Sequence, residues 1–190
     1  MPLSPPAPRK HLHTRTIECR GYQREDGLWD IEGHLVDTKT YGFSNRDRGE
    51  VPAGVPVHEM WLRLTIDERL LIHAVEAATD YAPYHMCPDI TPRFEMLAGL
   101  SIGPGFHREV RMRVGGVHGC THLVELLRPL ATTAFQTLVP VRQREEAAQR
   151  EDAQAAPKRP PFLDSCHAHA SDSPVVKTRW PAFYTGPDRE

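Results

Sequence analysis

The chain has 190 residues, with 23 basic and 25 acidic side chains and a formal net charge of -2, long enough for one domain whose core needs no disulfides. It carries no stripe of lysine and arginine of the kind that tracks a phosphate backbone, which excludes nucleic acid as the default partner. No apolar run approaches the roughly 18 residues of a membrane span, and Met1 to Lys10 lack the apolar stretch of a signal peptide, so no membrane partner and a cytoplasmic location are expected.

Residues 1–13, with four prolines and two histidines, read as a mobile leader, and an α+β domain is expected over 14–139. Thr16, Ile17 and Cys19 lead to a turn at Asp26-Gly27, a strong hairpin signal, and the return arm runs from Leu28 to Leu35. On that arm Trp29, Ile31 and Leu35 share a buried face, while Asp30, Glu32 and His34 share the wet one. Residues 42–56, rich in Gly, Pro, Arg and Asp, are expected as a long exposed loop. The clearest alternation follows: His58, Met60, Leu62, Leu64 and Ile66 on one side against Glu59, Trp61, Arg63 and Thr65 on the other. Asp67-Glu68 then turns the chain into Arg69 to Thr79, and this second hairpin is expected in the middle of an antiparallel sheet.

The loop from Tyr81 to Pro88 carries His85 and Cys87, and a short helix is expected from Asp89 or Thr91, bearing Phe94, Met96 and Leu97 and broken by Gly99 to Gly105. Residues 106–114 fit either period: Val110, Met112 and Val114 alternate as in a strand, while Phe106 and Val110 share a helical face. From Thr121 the residues Leu123, Leu126, Leu127, Leu130, Ala134 and Leu138 recur at helical steps. Pro129 should kink this helix or split it in two, since a mid-helix proline costs about 3 kcal/mol. Residues 140–161 read as a polar spacer, and 162–190, with Phe162, Leu163, Trp180, Phe183 and Tyr184, as a tail that docks back on the domain. The fold class is therefore α+β, antiparallel hairpins packed on one face by helices with a docked C-terminal tail.

Soft metal ligands occur in three places: His85 and Cys87, Cys120 and His122 at the opening of the long helix, and Cys166 and His167 in the tail. Four cysteines in a chain without an export signal are expected as thiols, metal ligands or core residues rather than disulfides. The leading reading is a Cys/His metal site built on Cys87, Cys120 and His122 and completed by Cys166 or His58. Zinc is the expected metal and an iron–sulfur cluster the less favoured one. No tight Cys-x-x-Cys or His-x-x-x-His spacing supports the set. An open fourth position would allow Lewis-acid chemistry, and a closed one would be structural.

The same atoms allow a metal-free cysteine enzyme for acyl or sulfur transfer, with Cys120 as the thiolate and His122, His118 or His58 as its base. Residues two apart do not face each other on a regular helix, so this requires Cys120 at the helix cap. A non-catalytic accessory module is the third reading, and a small molecule or a protein is the expected partner. Cys19 reads as a small core hydrophobe.

Gly21-Tyr22, Arg24, Asp26-Gly27-Leu28-Trp29-Asp30-Ile31-Glu32-Gly33, His58, Met60, Leu64-Thr65-Ile66-Asp67, Cys87, Leu97-Ala98-Gly99 and Gly119-Cys120-Thr121-His122-Leu123 together resemble the bacterial family catalogued as domain of unknown function 2889, over roughly residues 14 to 184. The resemblance implies a small cytoplasmic bacterial protein and carries no activity. A second likeness, of architecture only, is to the iron–sulfur cluster assembly scaffold fold, where cysteines at comparable places hold a cluster or zinc. The scaffold's Asp-bearing first cysteine loop has no evident counterpart here, and Cys166 has none there.

Overall fold

A computed structural model describes residues 3–149, 159–160 and 162–187. The first hairpin pairs β1 (His13–Gln23) with β2 (Trp29–Lys39), and Asp26 closes its turn by accepting the Leu28 N–H. The second pairs β5 (Pro56–Ile66) with β6 (Ile72–Tyr81). They join through β2 and β5 into one antiparallel sheet of order β1-β2-β5-β6. Each hairpin thus contributes one central and one edge strand, which corrects the expectation that the whole second hairpin lies in the middle. Alternation explains the choice, because β2 and β5 bury a full apolar row while β1 is exposed along nearly all its length.

Two stretches differ from the sequence expectation, and a third that it left open is decided. Residues 42–56 hold a small hairpin, β3 (Phe43–Asn45) with β4 (Gly49–Val51), whose turn forms because Asn45 Oδ1 accepts the N–H groups of Asp47 and Arg48. The short helix is a run of 3-10 turns over Cys87–Leu97; Pro92 inside it lacks the N–H a regular helix would use, and Phe94 and Leu97 still reach the core. The undecided stretch is a helix, α1 (Phe106–Val114), with Phe106, Val110 and Val114 buried at four-residue steps.

α2 (Thr121–Gln149) remains one helix through Pro129 and Pro140. Burial of Leu123, Leu126, Leu127 and Leu130, worth about 1.5–3 kcal/mol each, outweighs the roughly 3 kcal/mol a mid-helix proline costs. Its apolar face joins β2, β5, α1 and the 3-10 run in a single core cluster. Among the described residues no helix is long and apolar enough to cross a membrane.

The chain divides into two compact units, Met1–Glu145 and Glu146–Glu190. In the second, α3 (Pro174–Arg179) is capped by Ser173 Oγ, which accepts from the Val176 N–H, and the rings of Phe162, His169 and Trp180 meet at tilted and edge-on angles. Residues 150–158 and 161 of the expected spacer lie outside the described residues.

Helix α2 crosses β1 at Gly21, where a β-carbon would stand 2.0 Å from Thr137 Oγ1. That hydroxyl is held by donation to the Thr133 carbonyl at 2.8 Å, so it cannot swing aside without losing a bond. Gly21→Ala should destabilise the protein by about 1–3 kcal/mol through overpacking, read as a lower urea midpoint at unchanged slope. The double variant Gly21→Ala/Thr137→Ala, which removes the hydroxyl and the methyl nearest the added β-carbon, should regain part of the loss.

Candidate functional site

Strand register assembles the site. Arg15 on β1 is the cross-strand partner of Asp37 on β2, and Asp37 is the partner of His58 on β5, so cation, carboxylate and imidazole form one row across the sheet. The register slips immediately beyond this row, between Asp37 and Thr38, the kind of bulge that re-aims side chains beside a site. His122, in the first turn of α2, completes the group by stacking its ring on His58 at a centroid separation of 3.8 Å.

Asp37 is 2 % exposed and its two oxygens are saturated. Oδ1 accepts from His13 Nε2 at 3.0 Å and Arg15 Nε at 2.8 Å, and Oδ2 accepts from an Arg15 terminal nitrogen at 2.8 Å and His58 Nδ1 at 3.0 Å. Arg15 is itself fixed from the far side by Glu125. Burial alone would raise the Asp37 pKa; the hydrogen bonds from Arg15 and His13 and the positive charge of Arg15 outweigh it and bring the value down to about 2. An ionised carboxylate only accepts, so His58 carries its proton on Nδ1 and keeps the Nε2 lone pair on the opposite side of the ring.

Both imidazoles are held neutral. Burial lowers the pKa of His58, aided by the neighbouring His122 and opposed by Asp37. Burial likewise lowers that of His122, aided by Arg15 and opposed by Asp37 and Glu125. His122 Nε2 stands 3.9 Å from Asp37 Oδ2 and its Nδ1 3.9 Å from Cys120 Sγ. Asp37, His58 and His122 each offer an atom within 4.8 Å of the others, a group that could hold a metal ion.

The row ends at a cleft of about 360 Å³ lined by His58, Cys87, Cys120 and His122 together with Met60, Tyr84, Met86, Ile90 and Val117. Four of the five residues singled out from sequence therefore share one cavity. Cys120 immediately precedes α2, and its carbonyl accepts the Val124 N–H, the cap position that the cysteine reading required. Gly119 makes this possible, since a β-carbon there would lie 1.9 Å from the Val114 carbonyl oxygen; the close approach of α1 to the start of α2 admits no side chain.

Cys166 belongs to the second unit, where its sulfur lies 3.5 Å from His169 Nδ1. His85 and His118 are exposed. Cys19 packs against the core, and burial raises its thiol pKa. Two residues at the centre of the site, Asp37 and Arg15, escaped the sequence reading, yet a signal existed: extending the buried period of Trp29, Ile31 and Leu35 by one step places a carboxylate on the apolar face, where it must be paired.

The sequence profile of a family described as protein of unknown function (DUF2889) matches residues 13–136, from the start of β1 well into α2. No curated protein and no solved structure matches the chain, and the architectural likeness to the iron–sulfur scaffold gains no support.

The depressed pKa values set a pH dependence. Neutral His58 and His122 favour the folded state above the ordinary imidazole value of 6.5, so stability should begin to fall as the pH drops below it. Asp37 adds about 2–3 kcal/mol that is fully present above 3.8 and lost as the pH falls toward about 2. Urea unfolding from neutral pH to acid should show both stages, and in Asp37→Asn the lower one should shrink, leaving the smaller share of Asp26, Asp67 and Asp164, whose carboxyls are also held below the ordinary value.

Proposed function

The chain belongs to the DUF2889 family of proteins of unknown function, and from that premise we propose that the cleft is a zinc centre whose ligands are His58, His122 and Cys120, with Cys87 lining the same cleft. The observation that carries this reading is the placing of these four side chains around one cleft, with His58 oriented by a buried carboxylate. Zinc takes imidazole nitrogen and thiolate sulfur in tetrahedral sets, and a ligating histidine is commonly fixed by donating its other N–H to a carboxylate.

Asp37 fits that supporting role better than the role of ligand, although the group of described residues whose ligand atoms already lie within 4.8 Å of one another is Asp37, His58 and His122, without Cys120. Four N–H groups already fill the acceptor positions of its oxygens, and a cation bound there would have to share an oxygen with the Arg15 guanidinium. Among the described residues His58 is hydrogen-bonded through Nδ1 alone. The lowered pKa values keep both imidazoles deprotonated, as metal binding demands. When bound, zinc would supply Lewis-acid activation of a carbonyl or of a water at the open position. The chain's own part is to hold the two rings stacked and keep His58 in one tautomer.

A second reading is favoured by one distance, the 3.9 Å between Cys120 Sγ and His122 Nδ1. A cysteine at a helix N-terminus with an imidazole beside it is the arrangement of a thiol nucleophile and its base, and His122, held by its stacking on His58, would serve without a metal.

Elemental analysis separates the two. The zinc reading expects near-stoichiometric metal in the purified protein, lost in His58→Ala, His122→Ala and Cys120→Ser, and bound about 10–100-fold more weakly in Asp37→Asn. Full metal content in both Cys120→Ser and His58→Ala would refute it. A metal-free protein in which iodoacetamide labels Cys120 far faster than Cys19 would establish the thiol instead.

A further inference from the structure

A second cavity adjoins the first. A groove of about 460 Å³ between α1 and α2 is lined by His107, Arg111, Thr121, Glu125 and Arg128 among others. Thr121, the first residue of α2, lines both cavities, so they are neighbours across a single residue.

Their chemistries are opposite. The cleft wall offers Met60, Tyr84, Met86, Ile90 and Val117 and includes no arginine, lysine or carboxylate. At its rim Val117 is 91 % and Met86 74 % exposed, apolar surface left open to solvent, and methionine adapts to varied apolar shapes. The groove is cationic. Arg111 and Arg128 form no ion pair among the described residues, and both stand close enough to His107 to help burial lower its pKa. Glu125, the acidic side chain on the groove wall, is already paired with Arg15. Two unpaired guanidinium groups around a cavity suit a phosphate or a carboxylate.

We infer that the substrate is an anionic amphiphile, with an apolar chain in the cleft beside His58, Cys120 and His122 and a phosphate or carboxylate headgroup in the groove between Arg111 and Arg128. The inference rests on the cleft being the reaction site, and it adds the class of molecule. The apolar chain passes over Thr121, which brings the bond next to the headgroup, or one a few atoms along, past the start of α2 where the reactive side chains lie.

Calorimetric titration with four probes tests it: octyl phosphate and octanoate as the two kinds of anionic amphiphile, 1-octanol as the apolar part alone, and inorganic phosphate as the headgroup alone. At least one amphiphile should bind about tenfold or more tightly than 1-octanol and than phosphate, the gain expected of one to two charge-assisted hydrogen bonds, and the better of the two identifies the headgroup. The advantage should shrink with added salt. It should vanish in Arg111→Gln/Arg128→Gln, two exposed positions, while 1-octanol binds as before. Val117→Asp should weaken every probe that carries the apolar chain. If neither amphiphile outbinds 1-octanol, or the advantage survives loss of both arginines, the inference is overturned. Zinc content measured on the same preparations keeps the two ideas apart, since a metal-bearing protein indifferent to headgroup fails only this one, and a metal-free protein that prefers the amphiphile fails only the zinc reading.

Discussion

A carboxylate that is 2 % exposed survives in a protein interior only when its charge is compensated, and at Asp37 the compensation comes from two neighbouring strands. Two donors lie on β1 and one on β5, and together they make four bonds to its two oxygens. Leaving such a charge unpaired costs on the order of 3–5 kcal/mol, so the register of β1 against β2 and of β2 against β5 is tied to this one side chain as well as to the apolar rows. The interaction does more than stabilise. It sets the tautomer of His58, and with it the direction in which the ring's lone pair points.

The second element on which the site depends is the beginning of α2. Gly115 to Gly119 bring the chain from the end of α1 to the start of α2 so tightly that no side chain fits at Gly119. Cys120 is left at the cap and His122 in the first turn. One further turn along the helix, Glu125 reaches back to Arg15. The end of the sheet and the end of the helix are thereby locked by an ion pair that belongs to the same network as Asp37. The apolar part of α2 then buries Leu123 through Leu138 on the sheet, and the core holds the polar end in place.

This division of labour explains why the site gathers several kinds of chemistry in a small volume. Neutral imidazoles, a cap-position thiol and a saturated carboxylate come from β2, β5 and the first residues of α2, each positioned by a different interaction: strand register, helix capping or close backbone approach. The apolar cleft wall and the cationic groove share Thr121, so the same helix start borders the reactive side chains and both cavities.

Much of this is legible in the spacing of side chains along the chain. Period-two alternation places Trp29, Ile31, Leu35, Met60, Leu62, Leu64 and Ile66 on the buried face, and all are buried; helical spacing does the same for the apolar face of α2. The Gly-Cys-Thr-His string marks Cys120 and His122, and His58 is visible as a histidine on an apolar strand face. Residues 42–56 and 106–114 are not legible in this way, because a three-residue strand held by one asparagine side chain leaves little periodic signal and the apolar residues of 106–114 fit both periods.

The α+β class, the two hairpins, the buried faces and the residue types able to do chemistry are all dictated by the order of amino acids, because they follow from local spacing along one chain. The three-dimensional fold alone establishes that β2 and β5 lie side by side, that Arg15, Asp37 and His58 form a row, and that Cys87 faces the same cleft as Cys120. Such pairings depend on which elements meet and in what register, and the periods of about 2 and 3.6 residues that reveal a strand or a helix contain no information about its neighbour.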